Sequence, residues 1–371
     1  MTRHVYVHVP FCARRCSYCD FAISVRRDVP VDEYLRALDA EVTTRFGHQP
    51  AAEVDTIYLG GGTPSLLGGE GVAEALRAVR RRFRDAPSAE ITIEANPDDV
   101  TPSAVAAWRS AGVNRLSLGA QTFDDRALSW MNRSHDAATT ARAVRVARDG
   151  GITNLSLDLI FALPAELSRD FSADVERLIA LEPDHVSLYG LTIEPGTPLG
   201  KSVARGLTVE QPEDGYEHDY LTAHSMLSEA GLEHYEVSNY GRPGRRARHN
   251  SAYWSGASYV GLGPSAHGFD GHHRRWNVRG YSAWAETSLR GADPIDGEET
   301  LTTDNQQDEA VYLGLRSDQG LPMSPDDLPL VRPWLDAGWV TIGTDGLMRC
   351  TVNGWLRLDS LAAALTHHRS R

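Results

Sequence analysis

Short runs of aliphatic and β-branched residues alternate with helical patterns over the first 190 residues of the chain. One helix start is explicit, because Thr101 can cap the helix and Pro102 suits its first position. The predicted helices are Val31–Val42, Glu70–Phe83, Pro102–Ser110, Asp136–Asp149 and Asp170–Leu181. The predicted strands are Val5–Val9, Thr56–Leu59, Ile91–Glu94, Arg115–Leu118, Asn154–Ile160 and His185–Leu191. Six strands separated by helices predict an α/β fold, a partial (β/α)6 barrel, with a doubly wound sheet as the alternative.

The pattern loosens after Pro198 and changes again near residue 301. A helix is predicted over Glu213–Glu229 and a strand over His234–Tyr240, followed by a turn-rich stretch from Gly241 to His273. Helices over Asn305–Leu315, Asp326–Ala337 and Gly354–Ala364, with a hairpin across Asp345-Gly346, predict a small winged-helix-like α+β domain. We therefore predict a core over 1–240, a connecting region over 241–300 and a C-terminal domain over 301–371.

The charge of the chain argues against a nucleic-acid partner. The 371 residues carry 50 acidic and 37 basic side chains, a net charge of −13. Residues 301–371 hold nine acidic and six basic side chains, which makes a poor duplex-binding surface. No apolar run approaches the ~20 residues that span a bilayer, and no signal peptide is recognisable, so a cytoplasmic protein is expected.

Three of the four cysteines, Cys12, Cys16 and Cys19, fall within eight residues directly after the first strand. Three thiolates on one short loop can bind three irons of a [4Fe–4S] cluster and leave the fourth iron open to a small chelating molecule. Zinc is the alternative, but a structural zinc site needs four protein ligands. Only His8 lies nearby in sequence, and Cys350 is far along the chain. The spacing favours the iron–sulfur cluster.

This loop resembles that of the radical S-adenosylmethionine (SAM) superfamily, which has Cys-x3-Cys-x2-Cys with an aromatic residue before the third cysteine. Further segments resemble the coproporphyrinogen dehydrogenase branch, which contains the oxygen-independent coproporphyrinogen III oxidases and the HemW-type heme chaperones. These segments are Tyr6-Val-His8-Val-Pro10, Gly60-Gly-Gly-Thr63-Pro-Ser65, Ile93-Glu94-Ala-Asn96-Pro97, Gly119-Ala-Gln121-Thr-Phe123 and Leu157-Asp158-Leu-Ile160.

The resemblance implies a SAM site at the carboxyl ends of the strands. Gly61, Gly62 and Thr63 match the segment that meets the SAM amino group, and Glu94 matches an acceptor for the ribose hydroxyls. The other residues that match SAM contacts or flank the cluster loop are Tyr6, Tyr18, Gln121, Arg133 and Asp158. Each of these residue types is also common in purely structural roles, so the expectation depends on their joint position.

Two features favour the heme-chaperone type within this branch. Position 21 is Phe21, where the oxidase pattern has a fourth cysteine, and the N-terminal extension of the oxidases is missing. The segment His249-Asn250-Ser-Ala-Tyr253-Trp254 matches the His-Asn-x-x-Tyr-Trp motif of the HemW type, which is associated with heme binding. Imidazole is a common axial ligand of heme iron.

The resemblance therefore implies a chaperone that binds heme and delivers it to respiratory enzymes at the cytoplasmic membrane. The heme-binding residues expected from the motif are His249, Asn250, Tyr253 and Trp254. Nearby arginines, among them Arg245 and Arg246, are candidates for the heme propionates, or for a solvated loop or a contact with anionic lipid. The alternative function is a radical SAM enzyme that acts on a tetrapyrrole, as a coproporphyrinogen III oxidase or a methyltransferase.

Overall fold

The computed structural model describes residues 2–370, so Met1 of the predicted core and Arg371 of the predicted C-terminal domain lie outside the described part. Its strands are β1 (His4–Val9), β2 (Phe11–Cys12), β3 (Ser24–Val25), β4 (Ala52–Gly61), β5 (Phe83–Ala95), β6 (Arg115–Gln121), β7 (Leu155–Phe161), β8 (His185–Gly190), β9 (Glu233–Glu236), β10 (Asn239–Gly241), β11 (Tyr259–Leu262), β12 (His267–Phe269), β13 (His273–Asn277), β14 (Ile295–Thr300), β15 (Leu321–Pro322), β16 (Val340–Ile342) and β17 (Leu347–Cys350). Its helices are α1 (Val31–Phe46), α2 (Gly68–Arg80), α3 (Pro102–Ser110), α4 (Asp125–Trp130), α5 (Ala137–Asp149), α6 (Phe171–Ala180), α7 (Pro198–Ala204), α8 (Glu213–Glu229), α9 (Arg248–Trp254), α10 (Tyr281–Leu289), α11 (Thr303–Arg316), α12 (Leu328–Asp336), α13 (Val352–Trp355) and α14 (Leu358–Arg369).

The six predicted strands form the parallel centre of one twelve-stranded sheet. They lie side by side in the order β1-β4-β5-β6-β7-β8, and each neighbouring pair is parallel. Helices connect successive strands of this group, because a parallel connection must cross from one end of the sheet to the other. The partial (β/α)6 barrel is therefore confirmed. The predicted helix Glu70–Phe83 is wrong at its end, since α2 stops at Arg80 and Phe83 begins β5.

Alternating side chains give each central strand one apolar face and one polar face. Along β1, Val5 and Val7 are fully buried in the hydrophobic core. The residues between them, His4, Tyr6 and His8, belong to the opposite face, because side chains alternate along a strand. The inner face of the barrel therefore carries histidine, tyrosine, threonine and carboxylate side chains, which hydrogen-bond to one another across neighbouring strands.

The stretch from Gly241 to His273, predicted only as turn-rich, also contains regular elements. This segment contains α9, β11 and β12, and β11 pairs in parallel with β1 at the edge of the barrel. The strands are only three or four residues long and contain glycine, so their alternation is too brief to recognise. Close packing explains why position 261 is a glycine. A Cβ at Gly261 would lie 1.9 Å from the carbonyl oxygen of His267 on the paired strand.

The last 70 residues form the helices and hairpin expected from their sequence. Strands β16 and β17 make the antiparallel hairpin, and β15 completes a three-stranded sheet. The indole N–H of Trp355 donates to the carbonyl oxygen of Leu315, which ties α13 to α11. The division at residues 240 and 300 stays a prediction, while β11 to β14 extend the main sheet. Within residues 2–370, no helix combines the length and the apolar character that crossing a bilayer requires.

Candidate functional site

A cavity of about 460 Å³ opens at the carboxyl ends of the central strands, where α/β barrels build their sites. We call it the first cavity. It brings together the three loop cysteines and eight of the nine predicted SAM residues. These residues are Cys12, Cys16, Tyr18, Cys19, Gly61, Gly62, Thr63, Glu94, Gln121, Arg133 and Asp158. Residues from loops or strand ends more than 140 positions apart in sequence thus share one wall.

The cysteine loop is held in place by backbone hydrogen bonds to other parts of the barrel. The amide of Ser17 donates to the carbonyl oxygen of Met131 over 3.1 Å, and the amide of Leu199 donates to that of Ser17 over 2.8 Å. All three loop thiols are free and partly exposed. Burial raises the pKa of Cys12 to about 11. The loop therefore presents three thiols to the first cavity from a fixed backbone.

Two side chains approach the thiols as hydrogen-bond donors. The Arg133 guanidinium lies 3.4 Å from the Cys16 sulfur, and the Thr63 hydroxyl lies 3.6 Å from the Cys12 sulfur. Arg133 also donates to the side chain of Asn96 over 2.6 Å, but its buried Nε atom has no partner. A cationic donor at this position suits thiolates and also leaves one N–H for a further anionic group.

The glycine turn after β4 lies directly against the cysteine loop. A Cβ at Gly62 would stand 2.6 Å from the carbonyl oxygen of Phe11 and 2.8 Å from the carbonyl carbon of Pro10. The amide of Gly62 donates to the carbonyl oxygen of Val9 over 2.8 Å. Glycine is required here because two backbone segments approach each other without room for a side chain.

Two partly buried carboxylates, Glu94 and Asp158, face the first cavity from β5 and β7. Glu94 accepts hydrogen bonds from the Tyr58 hydroxyl over 2.7 Å and from the Gly61 amide over 3.0 Å. Burial raises the pKa of Glu94 to about 7 and that of Asp158 to about 6. Both groups can therefore exchange protons near neutral pH while they accept hydrogen bonds from a ligand.

Gln121 ends β6 with a left-handed backbone, φ 66°, which is uncommon for a residue with a side chain. Gln121 lines the first cavity. Strained backbone conformations of this kind cluster at functional sites. Tyr6 behaves differently from the other predicted SAM residues, because it does not line the first cavity. Its hydroxyl bonds instead to His8 Nδ1 over 3.1 Å.

The His-Asn-x-x-Tyr-Trp segment forms most of helix α9, at the opposite end of the barrel interior from the cysteines. Only 1% of His249 is exposed. Its Nδ1 atom lies 2.6 Å from the Thr56 hydroxyl, and its Nε2 atom lies 2.9 Å from the Tyr253 hydroxyl. Both ring nitrogens are therefore occupied. Burial lowers the pKa of His249 to about 3, which keeps the ring neutral.

Tyr253 and Trp254, one turn further along α9, line a second cavity of about 400 Å³ between the sheet edge and α11. Its walls are rich in aromatic residues, namely Tyr253, Trp254, Tyr259, Phe269 and Tyr312. The Arg316 guanidinium lies 4.5 Å above the Trp254 ring centre. The buried Trp254 Nε1 atom has no hydrogen-bond partner. Asn250 lies on the same helix and is half-buried.

The arginines beside this motif lie on the outside of the barrel and are engaged within the chain. Arg246 pairs with Asp318 over 2.8 Å, and Arg245 lies 3.5 Å from Asp184. Neither of them lines the second cavity. A role with heme propionates stays a prediction, and it would require these ion pairs to be exchanged.

Comparison with known proteins gives the family. A model of the Radical SAM superfamily matches residues 6–178. The chain is 42% identical to heme chaperone HemW of Mycobacterium tuberculosis, over 86% of this chain and 83% of that protein. It is 33% identical to heme chaperone HemW of Bacillus subtilis, over 86% of this chain and 84% of that protein. The chain belongs to the HemW family.

The HemW family assignment agrees with the fold. The structure of coproporphyrinogen III oxidase (HemN) from Escherichia coli superposes with a TM-score of 0.83 and covers 98% of this chain and 90% of its own. The two sequences are 23% identical, so the likeness concerns the fold. It confirms the α/β fold of the radical SAM barrel type, and the separate C-terminal domain stays a prediction.

Sequence reasoning missed several residues that shape both cavities of this HemW-family chain. Tyr58 and Thr56 are inner-face residues of β4 that contact Glu94 and His249. Arg316 and Tyr312 come from α11, in the predicted C-terminal domain. The alternation along β4 was the available signal for the first pair. No local signal marks the second pair, because their partners lie more than 50 residues away.

Proposed function

We propose that this protein is a cytoplasmic heme chaperone that carries a [4Fe–4S] cluster, binds SAM and delivers heme to respiratory enzymes. The observation that carries the proposal is the second cavity, in which the Tyr-Trp pair of α9 meets three further aromatic rings. A flat macrocycle is bound well by aromatic side chains on its faces. One relative named heme chaperone is 42% identical to this chain over 86% of its length.

The cluster belongs in the first cavity on Cys12, Cys16 and Cys19. As the side chains stand, no group of three or more His, Cys, Asp or Glu side chains within residues 2–370 could hold a metal ion. A [4Fe–4S] cube does not need such convergence, because each thiolate binds a different iron. Thr63 and Arg133 supply hydrogen bonds to the sulfur atoms.

SAM would be held in the same cavity beside the cluster, which, given an electron from an external reductant, would supply the chemistry of reductive SAM cleavage. Glu94 and Asp158 offer acceptors for hydroxyl and amino groups, and Arg133 offers a cation for the carboxylate. The remaining proposed contacts are Tyr18, Gly61, Gly62, Thr63 and Gln121. Tyr6 would contribute to this site indirectly, because its hydroxyl orients the ring of His8.

Heme belongs in the second cavity, with its plane against Trp254 and its iron near the Tyr253–His249 pair. The Tyr253 hydroxyl stands between the cavity and the imidazole, which makes it the proposed ligand of the heme iron. His249 would orient the phenol through their hydrogen bond, and it would bind the iron itself if Tyr253 turned aside. Asn250 completes the motif on the same helix.

Heme titration tests this site. Tyr253→Phe is expected to change the absorption spectrum of bound heme, because it alters the ligand field of the iron. Trp254→Ala is expected to weaken binding about 2- to 12-fold at an unchanged spectrum, since an aromatic contact contributes about 0.5–1.5 kcal/mol beyond buried area. Tyr235→Phe is the matched control, because the Tyr235 hydroxyl bonds to another buried histidine, His185, outside the cavity. Equal effects of all three variants would refute the assignment.

The enzymatic alternative is tested by product analysis. With coproporphyrinogen III, SAM and a reductant under anaerobic conditions, we expect no protoporphyrinogen IX beyond a single turnover. The reason is Phe21, which stands at the mouth of the first cavity with 61% of its surface exposed, where the oxidase pattern has a cysteine. Accumulation of product over many turnovers would favour the oxidase function instead.

A further inference from the structure

The imidazole of His249 lies between the two cavities. One edge of the ring bonds to Tyr253, which lines the second cavity. One face is stacked on the ring of Tyr58, with centroids 5.1 Å apart and planes inclined by 27°. Tyr58 stands on the inner face of β4, and its hydroxyl donates to Glu94 in the first cavity. Three consecutive contacts therefore join the second cavity to the proposed SAM site.

Hydrogen bonds hold the His249 end of this series of contacts in position. His249 is bonded at both ring nitrogens, and Thr56, one of its partners, lies 3.0 Å from His4 on the neighbouring strand. The backbone amides of Arg248 and His249 donate to the carboxylate of Glu90, which anchors the start of α9 to β5. A buried ring that cannot shift determines where the ring stacked on it can lie.

The Glu94 end of this series of contacts is also held by hydrogen bonds. One Glu94 oxygen accepts from Tyr58 and the other accepts from the Gly61 amide of the glycine turn. Tyr58 does not line the first cavity, so it cannot contact a ligand there directly. Its contribution to that cavity is the orientation of the Glu94 carboxylate.

We propose that His249 is a positioning residue for the Glu94 carboxylate and that it acts through the ring of Tyr58. This inference rests on the proposed SAM site in the first cavity. It gives the histidine of the motif a task separate from heme ligation. It also makes the state of α9 a determinant of SAM affinity, because any movement of His249 displaces the ring that holds Glu94.

The pKa of Glu94 provides a measurable quantity that general destabilisation of the fold would not change. Burial raises its pKa, and the Tyr58 hydrogen bond opposes that effect. The negative charge of Asp158 on β7 also raises the pKa of Glu94. The charge of Glu94 in turn raises the pKa values of the three neighbouring tyrosines, Tyr6, Tyr189 and Tyr253. Loss of the Tyr58 hydroxyl therefore raises the pKa of Glu94 further. Because the charged carboxylate is the better acceptor for ligand hydroxyls, SAM affinity falls as the pH drops through this pKa.

The experiment measures the dissociation constant of SAM from about pH 6 to about pH 8.5 by equilibrium dialysis, with cluster-reconstituted, heme-free protein. For the unchanged protein we expect weaker binding below a midpoint near neutrality. Tyr58→Phe is expected to move this midpoint upward and to weaken binding about 3- to 10-fold at neutral pH. His249→Ala is expected to shift the midpoint in the same direction. His185→Ala is the matched control, a buried histidine also bonded at both nitrogens.

A double variant decides whether His249 acts through Tyr58. In the variant with both substitutions, we expect the same pH midpoint of SAM binding as in the Tyr58→Phe single variant. The reason is that Tyr58→Phe already removes the hydrogen bond through which His249 would act on Glu94. Additive shifts, or an unchanged midpoint in His249→Ala, would overturn the inference. If His249→Ala fails to fold, His249→Gln carries the same test with a smaller loss of packing. Absence of SAM binding in the unchanged protein would instead refute the proposed SAM site.

Discussion

Replacing Cys16 with alanine is expected to abolish the iron–sulfur cluster and, with it, SAM binding. A cube held by three thiolates loses one of them, and the Arg133 guanidinium loses its sulfur partner. Anaerobically reconstituted protein should contain about four irons and four sulfides per chain, and the variant close to none. Iron and sulfide analysis, together with the visible absorption spectrum, measures this directly.

Cys350→Ala is the matched control for this variant. Cys350 is buried on β17, in the predicted C-terminal domain, and does not line the first cavity. Its substitution should leave the iron content unchanged and cost only the packing of one small side chain. Retention of the full cluster in Cys16→Ala, or its loss in Cys350→Ala, would contradict the assignment of the three ligands.

Gly62→Ala is expected to lower cluster content even when SAM is absent. The new methyl group would stand 2.6 Å from the Phe11 carbonyl oxygen and 2.8 Å from the Pro10 carbonyl carbon, both backbone atoms that cannot turn away. The segment that leads into Cys12 must therefore move. Overpacking of this kind costs about 1–3 kcal/mol, so the unfolding free energy should fall by a similar amount. Thermal unfolding and iron analysis measure the two effects.

Gly196→Ala provides the comparison, since a Cβ at that position meets no atom within 4 Å. It lies near the rim of the same cavity, after β8, and should leave both stability and cluster content unchanged. If Gly62→Ala retains the full cluster and loses only SAM affinity, Gly62 serves the ligand and not the cysteine loop. That result would refute the packing explanation.

The barrel and the first cavity could be predicted because their determinants are local. Each central strand is a short apolar run with a turn signal at its end, and parallel strands bring their carboxyl ends to one side. Residues near those ends, such as Thr63, Glu94 and Asp158, therefore had to come together. The cysteine spacing within a single loop is equally local. These are properties that the order of residues determines without knowledge of distant contacts.

The role of the α9 motif depends on contacts that no local pattern contains. The sequence placed His249 in a turn-rich stretch, as a candidate axial ligand of heme iron. In the structure it is buried, because α9 packs against β4 and its imidazole finds Thr56 and Tyr58 nearly 200 residues earlier. The second cavity likewise needs Tyr312 from α11 opposite Trp254. Residue order alone determined the central strands, the cysteine loop and the SAM candidates, whereas tertiary packing decided which side of the motif helix lines the second cavity and which faces the barrel.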